Sequence, residues 1–261
     1  MISAFAFSPS ALADKLSGAH SDKLSGARSD KLSGAPDLRC DLVHVSCLPY
    51  LLGEPLPERT PDRGGSPKIL VSFPFISKGA AYRAFCDRFE EFAERFDGFT
   101  VQNLGDFGML CELLEGSRKV RREDLIIAGD AALNVTNAST AAFWSGKLDV
   151  CAILPELGVP EHLELIKRFP SGLIPEVLLD AQKIVMRSEH CFAARGNAYK
   201  CGKCGKTGLL GGSIFDISGN EFPIITNPLD CNSILLCPPA ANASAAPFFD
   251  IPSESFYFRT L

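Results

Sequence analysis

Short apolar runs alternate with stretches whose apolar residues recur at helical spacing. Residues 41–45, 68–73, 98–102, 125–129, 148–154 and 175–179 read as strands, apolar along their whole length and bounded by Gly, Pro or charged residues. Between them lie helical patterns over 77–96, 106–115, 138–144 and 160–169, with Asn137 placed to cap the third and Pro160 at the first turn of the fourth. The longest pattern sets Tyr82, Phe85, Phe89, Phe92 and Phe96 on one stripe and Arg83, Asp87, Glu90, Glu91 and Glu94 largely away from it. Such a stripe packs into a core. Strands alternating with helices of this length imply parallel βα units, and strands apolar on both faces fit a sheet covered on both sides.

Six strands are legible, whereas a closed (β/α)₈ barrel takes eight and about 250 residues. The expected fold class is therefore α/β: a partial or open (β/α) barrel with parallel strands, or one whose missing strands come from a partner chain. The segment Asp14-Lys15-Leu16-Ser17-Gly18-Ala19 recurs from Asp22 and from Asp30. Its Ser, Gly and alternating charge offer little to bury, so residues 1–37 are expected to be a disordered repetitive tail. Residues 38–187 form the βα-repeat half-barrel. Residues 188–237 form a cysteine-rich knuckle and β-hairpin, with Gly219-Asn220 at the hairpin turn. Residues 238–261, rich in Pro and Ala, are a C-terminal extension.

A formal net charge of −5 gives no basic field over the whole protein to attract nucleic acid. No apolar run reaches the roughly 20 residues of a membrane span. The apolar start has no preceding Lys or Arg of the kind a signal peptide carries, so a cytoplasmic protein is expected, with no membrane partner.

Ten cysteines are many for that compartment, where clustered thiols lean toward metal or redox chemistry rather than disulfides. Cys201-Gly202-Lys203-Cys204 is a knuckle whose two-residue spacing lets both sulfurs face one ion. A thioredoxin-like redox pair uses the same spacing. Cys191 precedes the knuckle and Cys231 follows the hairpin, giving a four-thiol set, with Cys237 as an alternative fourth ligand. A tetrahedral Cys₄ site suits zinc or an iron–sulfur cluster. Lys200, Lys203 and Lys206 would offset the thiolate charge.

These residues resemble a known family, the collagenase-like peptidases (peptidase U-32), and most closely the C-terminal half of its longer members. The resemblance rests on Glu189-His190-Cys191, Cys201-Gly202-Lys203-Cys204, Asp216 with Gly219 and Phe222-Pro223, and Cys231-Asn232-Ser233. Upstream, Asn103-Leu104-Gly105, Gly129-Asp130 with Leu133-Asn134-Val135 and Asn137, and Leu154-Pro155-Glu156-Leu157 follow in the same order. Asp216-Ile217 stands where the family has Asp-Arg.

The resemblance implies proteolysis, or hydroxylation of RNA bases or a related ring in members whose four cysteines hold an iron–sulfur cluster. A [4Fe-4S] cluster on Cys191, Cys201, Cys204 and Cys231 is the favoured cofactor, with zinc as the alternative. The expected substrate is RNA or protein. No HExxH or GxSxG motif occurs. Barrel enzymes place chemistry at the carboxyl ends of their strands. Glu156, Glu189 and His190 are accordingly the candidate catalytic residues, and Asn103, Asp130, Asn134 and Asn137 the candidate substrate-binding ones. Asn134 and Asn137 read equally well as loop caps. The competing function is a non-catalytic, zinc-stabilised interaction module, or a truncated inactive member of the family.

Overall fold

A computed structural model describes residues 2–6, 40–58, 67–76, 79–180, 184–192, 210–236 and 257–260. Its strands and helices follow one another as β1 (Ile2–Ala6), β2 (Cys40–Ser46), α1 (Leu48–Leu51), β3 (Lys68–Ser72), α2 (Gly79–Asp87), α3 (Phe89–Arg95), β4 (Gly98–Val101), α4 (Leu104–Gly116), β5 (Ile126–Gly129), α5 (Ala138–Trp144), β6 (Val150–Ala152), α6 (Val159–Lys167) and β7 (Ile174–Asp180). The chain continues through β8 (Ile184–Ser188), β9 (Leu210–Phe215), β10 (Glu221–Asn227), β11 (Asn232–Leu236) and β12 (Tyr257–Thr260).

Strands β2 to β7 pair in chain order, all parallel, as the curled half-barrel that the apolar runs imply. β1 pairs with β2 on one edge, β12 pairs with β7 on the other, and β1 and β12 pair with each other. The ring therefore closes with eight parallel strands, two of them in the stretches read from sequence as tail and extension. Both strands belong to the chain itself, which corrects the idea that a partner supplies them. β8 to β11 form a separate antiparallel sheet in the order β8-β11-β10-β9, inserted between the last two barrel strands. Its β9–β10 hairpin is longer than the sequence pattern suggests. Gly219 has φ +81°, and the Asp216 carboxylate accepts from the backbone N–H of Ser218 and of Asn220 across the turn.

Side chains alternate along each barrel strand. Val43, Val45, Val71, Phe73, Phe99, Val101 and Ile127 belong to the large cluster packed against the helices. The alternate positions fill the ring in layers. Leu42, Leu70, Ala128 and Val150 form an apolar lower layer, with Ile126 and Ile174 against them. His44, Ser72, Thr100 and Glu176 come next along their strands, all buried. Ser46, Gln102 and Asp130 lie at the carboxyl ends.

The aromatic stripe is core, as its spacing predicts, but the 77–96 helix is broken at Arg88 (φ −104°, ψ 15°). The Arg88 guanidinium donates to the Tyr50 carbonyl at 2.9 Å and to both Glu91 oxygens, fixing the kink. The Phe85 ring stands 4.4 Å from that of Phe73, just after β3, and across the break Phe89 stacks on Phe99 of β4 at 5.1 Å. Phe85 also stacks on Phe92 at 5.1 Å. Phe85→Ala is expected to destabilise the barrel by about 3–5 kcal/mol, read from the urea midpoint at unchanged slope.

The inserted sheet is tied to the barrel through Asp230, in the turn between β10 and β11. Its carboxylate accepts from the backbone N–H of Ala80 at 2.5 Å and of Ala81 at 3.0 Å, satisfying two open donors in the first turn of α2. Gly79 has φ +82°, and a Cβ there would collide with the Asp230 carboxylate, so this docking needs glycine. Asp230→Ala is expected to lower stability by about 1–2 kcal/mol in the same measurement.

Candidate active site

A pocket opens at the carboxyl-terminal mouth of the ring, beneath the inserted sheet. Ser46, Ser72, Gln102 and Asp130 come from the inner face of β2, β3 and the ends of β4 and β5. Phe73 and Phe75 follow β3, and Ile184 and Ile234 descend from β8 and β11. The cavity they border is small, about 30 Å³, room for a water-sized group. This is the end of a (β/α) barrel at which loops and strand termini converge, the ordinary place for a site in such a fold.

Arg187 of β8 is the chief cation beside it. Its Nη1 donates to the Phe75 carbonyl at 2.5 Å and to Gln102 Oε1 at 2.6 Å. Gln102 in turn donates from Nε2 to the Phe73 carbonyl at 2.8 Å, and its backbone N–H donates to the buried Asp106 carboxylate at 2.9 Å. Burial pulls the Arg187 guanidinium below its ordinary value, and the Asp130 and Asp106 carboxylates pull the other way. The side chain is thus a desolvated cation held between two acidic groups and two fixed carbonyl-type acceptors.

Deeper in the ring, His44 spans from β4 to β7. Its Nδ1 is 2.8 Å from Thr100 Oγ1 and its Nε2 is 3.1 Å from Glu176 Oε1. All three residues are 0% exposed. Ser72, paired in register with both Ser46 and Thr100, has a buried hydroxyl with no hydrogen-bond partner among the described residues.

The residues expected from sequence to bind substrate separate into two groups. Asp130 lines the pocket and also accepts from the Ala132 backbone N–H. Asn103 and Asn137 are helix caps: their side-chain oxygens accept from Asp106 N and Thr140 N, each at 2.9 Å. Asn134 holds a left-handed turn at φ 58° and is exposed. For Asn137 and Asn134 these are the capping positions that their places in the sequence equally allow. Glu156, Glu189 and His190 are exposed and stand outside the pocket lining. His190 lies beyond the end of β8, where its backbone N–H donates to Ser188 Oγ.

Of the four proposed metal ligands, Cys191 and Cys231 are described. Cys191 is buried, and Cys231 is half-buried with φ 52°. Ser188 of β8 pairs with Ser233 of β11, and Phe192 N donates to Ser233 Oγ at 3.2 Å, so the strand register carries Cys191 and Cys231 to the same end of the inserted sheet. Cys201 and Cys204 lie outside the described residues.

Sequence patterns alone do not single out His44, Ser72, Thr100, Gln102, Glu176 or Arg187. Two signals bear on them: Glu176 is the lone charge in the run 174–179, and His44 shares the strand face of Leu42. Among the described residues, no helix is long and apolar enough to cross a membrane. No family model, curated protein or solved structure matches this chain.

Proposed function

We propose that this chain is a barrel enzyme of the peptidase U-32 type, with its substrate pocket at the mouth of the ring and a [4Fe-4S] cluster on Cys191, Cys201, Cys204 and Cys231. One observation carries the reading. The inserted sheet that lays Ile184, Ile234 and Arg187 over the mouth also brings Cys191 and Cys231 to one of its ends. The two described thiols are compatible with a Cys₄ set: Cys191 is sheltered from solvent, and Cys231, half-buried, sits in a left-handed turn at the same end of the sheet. Such a cluster, when bound, would supply one-electron chemistry next to the barrel mouth. The chain's own residues would bind and orient the substrate, with Phe73 and Phe75 offering apolar contact and Asp130 and Ser72 offering polar contact.

Between the two activities that the resemblance implies, ring or RNA-base hydroxylation is favoured over proteolysis. Glu156, Glu189 and His190 stand in solvent and outside the pocket lining, so none of the three faces a substrate held in the pocket. Anaerobically purified protein is expected to be brown and to carry iron and acid-labile sulfide. Colourless protein with stoichiometric zinc would instead support the structural module, and protein without metal would end the Cys₄ reading.

A further inference from the structure

The inserted sheet ends in an exposed strand. In the order β8-β11-β10-β9, β9 is terminal, and among the described residues β10 is its one hydrogen-bonded neighbour. Residues 211–216 are exposed. The Asp216 backbone N–H donates to the Asn220 carbonyl at 3.1 Å, which fixes the phase of the β9–β10 ladder. Bonded and non-bonded pairs alternate in an antiparallel ladder, so Ile214 and Gly212 turn their backbone groups toward Phe222 and Ile224. Pro223, which has no N–H, falls opposite Ser213, where no bond to β9 is due. Gly211, Ser213 and Phe215 therefore turn their N–H and C=O groups outward. Protected edges carry lysine, proline or a bulge, and the strand Leu210–Phe215 has none of these. The opposite edge, β8, does carry a register shift, where Ile184 meets Leu236.

We infer that β9 is a dimerisation edge whose partner is β9 of a second copy, antiparallel about a two-fold axis at Ser213. Bulk and open space in the strand are disposed symmetrically about that residue. With Ser213 opposite its own copy, Phe215 meets Gly211 of the partner subunit on one face, and Ile214 meets Gly212 of the partner subunit on the other. A Cβ on Gly211 or Gly212 would meet nothing within 4 Å, so both glycines leave room for the larger side chains. Phe215 is 65% exposed and Ile214 38%, and the pairing covers both. The same register sets the outward backbone groups of Gly211, Ser213 and Phe215 in bonded pairs. Glu221 stands one strand in and accepts from the Ser213 hydroxyl, and Asp216 closes the strand, so the two copies of each carboxylate stay apart. Two-fold pairing uses up both edges and closes at two copies. One strand pair with these few apolar side chains falls short of the roughly 1,200–2,000 Å² of a standard interface, so the dimer is weak and concentration-dependent.

The test is sedimentation of the full chain over a concentration series. A monomer–dimer equilibrium is expected, with the dimer prominent at about 100 µM protein. Ser213→Pro removes one outward N–H from each copy, and with them both central bonds, while the β9–β10 ladder keeps its own. It is expected to weaken dimerisation about 30-fold. Ser213→Cys is expected to give a disulfide-linked dimer on mild oxidation, because bonded antiparallel pairs stand about 5.5 Å apart at Cα, within disulfide reach. Ser218→Cys, at the hairpin tip, is expected to link no more than the unaltered chain. A monomer at every concentration, an unchanged dissociation constant in Ser213→Pro, or linkage in Ser213→Cys no greater than in Ser218→Cys overturns the pairing. Oligomers beyond two copies would mean that β9 meets a different edge, and they overturn it too. Should Ser213→Pro not fold, the two cysteine variants decide alone.

Discussion

Glu176→Ala is expected to destabilise the protein by about 3–5 kcal/mol, from the buried volume it empties together with the hydrogen bond it removes from His44 Nε2. The carboxylate and the imidazole it meets are both sealed in the ring, so the variant removes the acceptor 3.1 Å from His44 Nε2 in a buried place. A loss of this size is comparable with the whole stability of many domains. Urea denaturation measures it, and the double variant His44→Leu/Glu176→Leu separates the causes. If the damage in Glu176→Ala comes from a stranded imidazole, replacing both groups recovers most of the lost stability. If the ring needs the polar layer for its shape, the double variant is as unstable as the single one.

The second large effect concerns the metal. Cys201→Ser and Cys231→Ser are each expected to reduce bound metal from stoichiometric to trace. A tetrahedral thiolate site loses both a bond and its closed geometry when one sulfur is removed. In small metal domains the metal contributes roughly 10 kcal/mol or more of folding free energy. The inserted sheet, which holds Cys191 and Cys231 at one end, is therefore expected to become sensitive to protease in either variant. Cys47→Ser serves as the control. Cys47 is buried in the main core, where desolvation pushes its thiol well above the ordinary value. Equal metal loss in Cys47→Ser would remove the special role of the four cysteines.

The βα core was legible because both of its signals are local. Apolar runs at 68–73 and 125–129 mark strands that are covered on both faces, and Asn137 before an alternating stretch marks a helix start. The closing strands were not legible. Ile2–Ala6 stands before a repetitive polar stretch and Tyr257–Thr260 follows a Pro- and Ala-rich one, so neither has the strand–helix rhythm around it. The break at Arg88 is hidden for a different reason: it is fixed by the Tyr50 carbonyl, 38 positions away in the chain. The site divides along the same line. Asp130 stands out because Gly-Asp after a strand is a local pattern, whereas His44, Thr100 and Glu176 acquire meaning only when β2, β4 and β7 curl around one interior. The asparagines read two ways in sequence because a helix cap and a substrate contact use the same side chain at the same end of a strand, and the structure shows the caps of Asn103 and Asn137.

The seam of the ring has a kinetic consequence. Ile2 is the register partner of both Cys40 and Phe258, so the last pairing joins residues separated by nearly the whole polypeptide. Contacts of such span form late, because the entropy of bringing distant segments together must be overcome before they contribute. During synthesis β1 emerges before β2 and β12 emerges after every other barrel strand, so β1 and β7 stay raw edges until β12 arrives to join them. That interval is when the nascent chain is most exposed to edge-to-edge association with other copies.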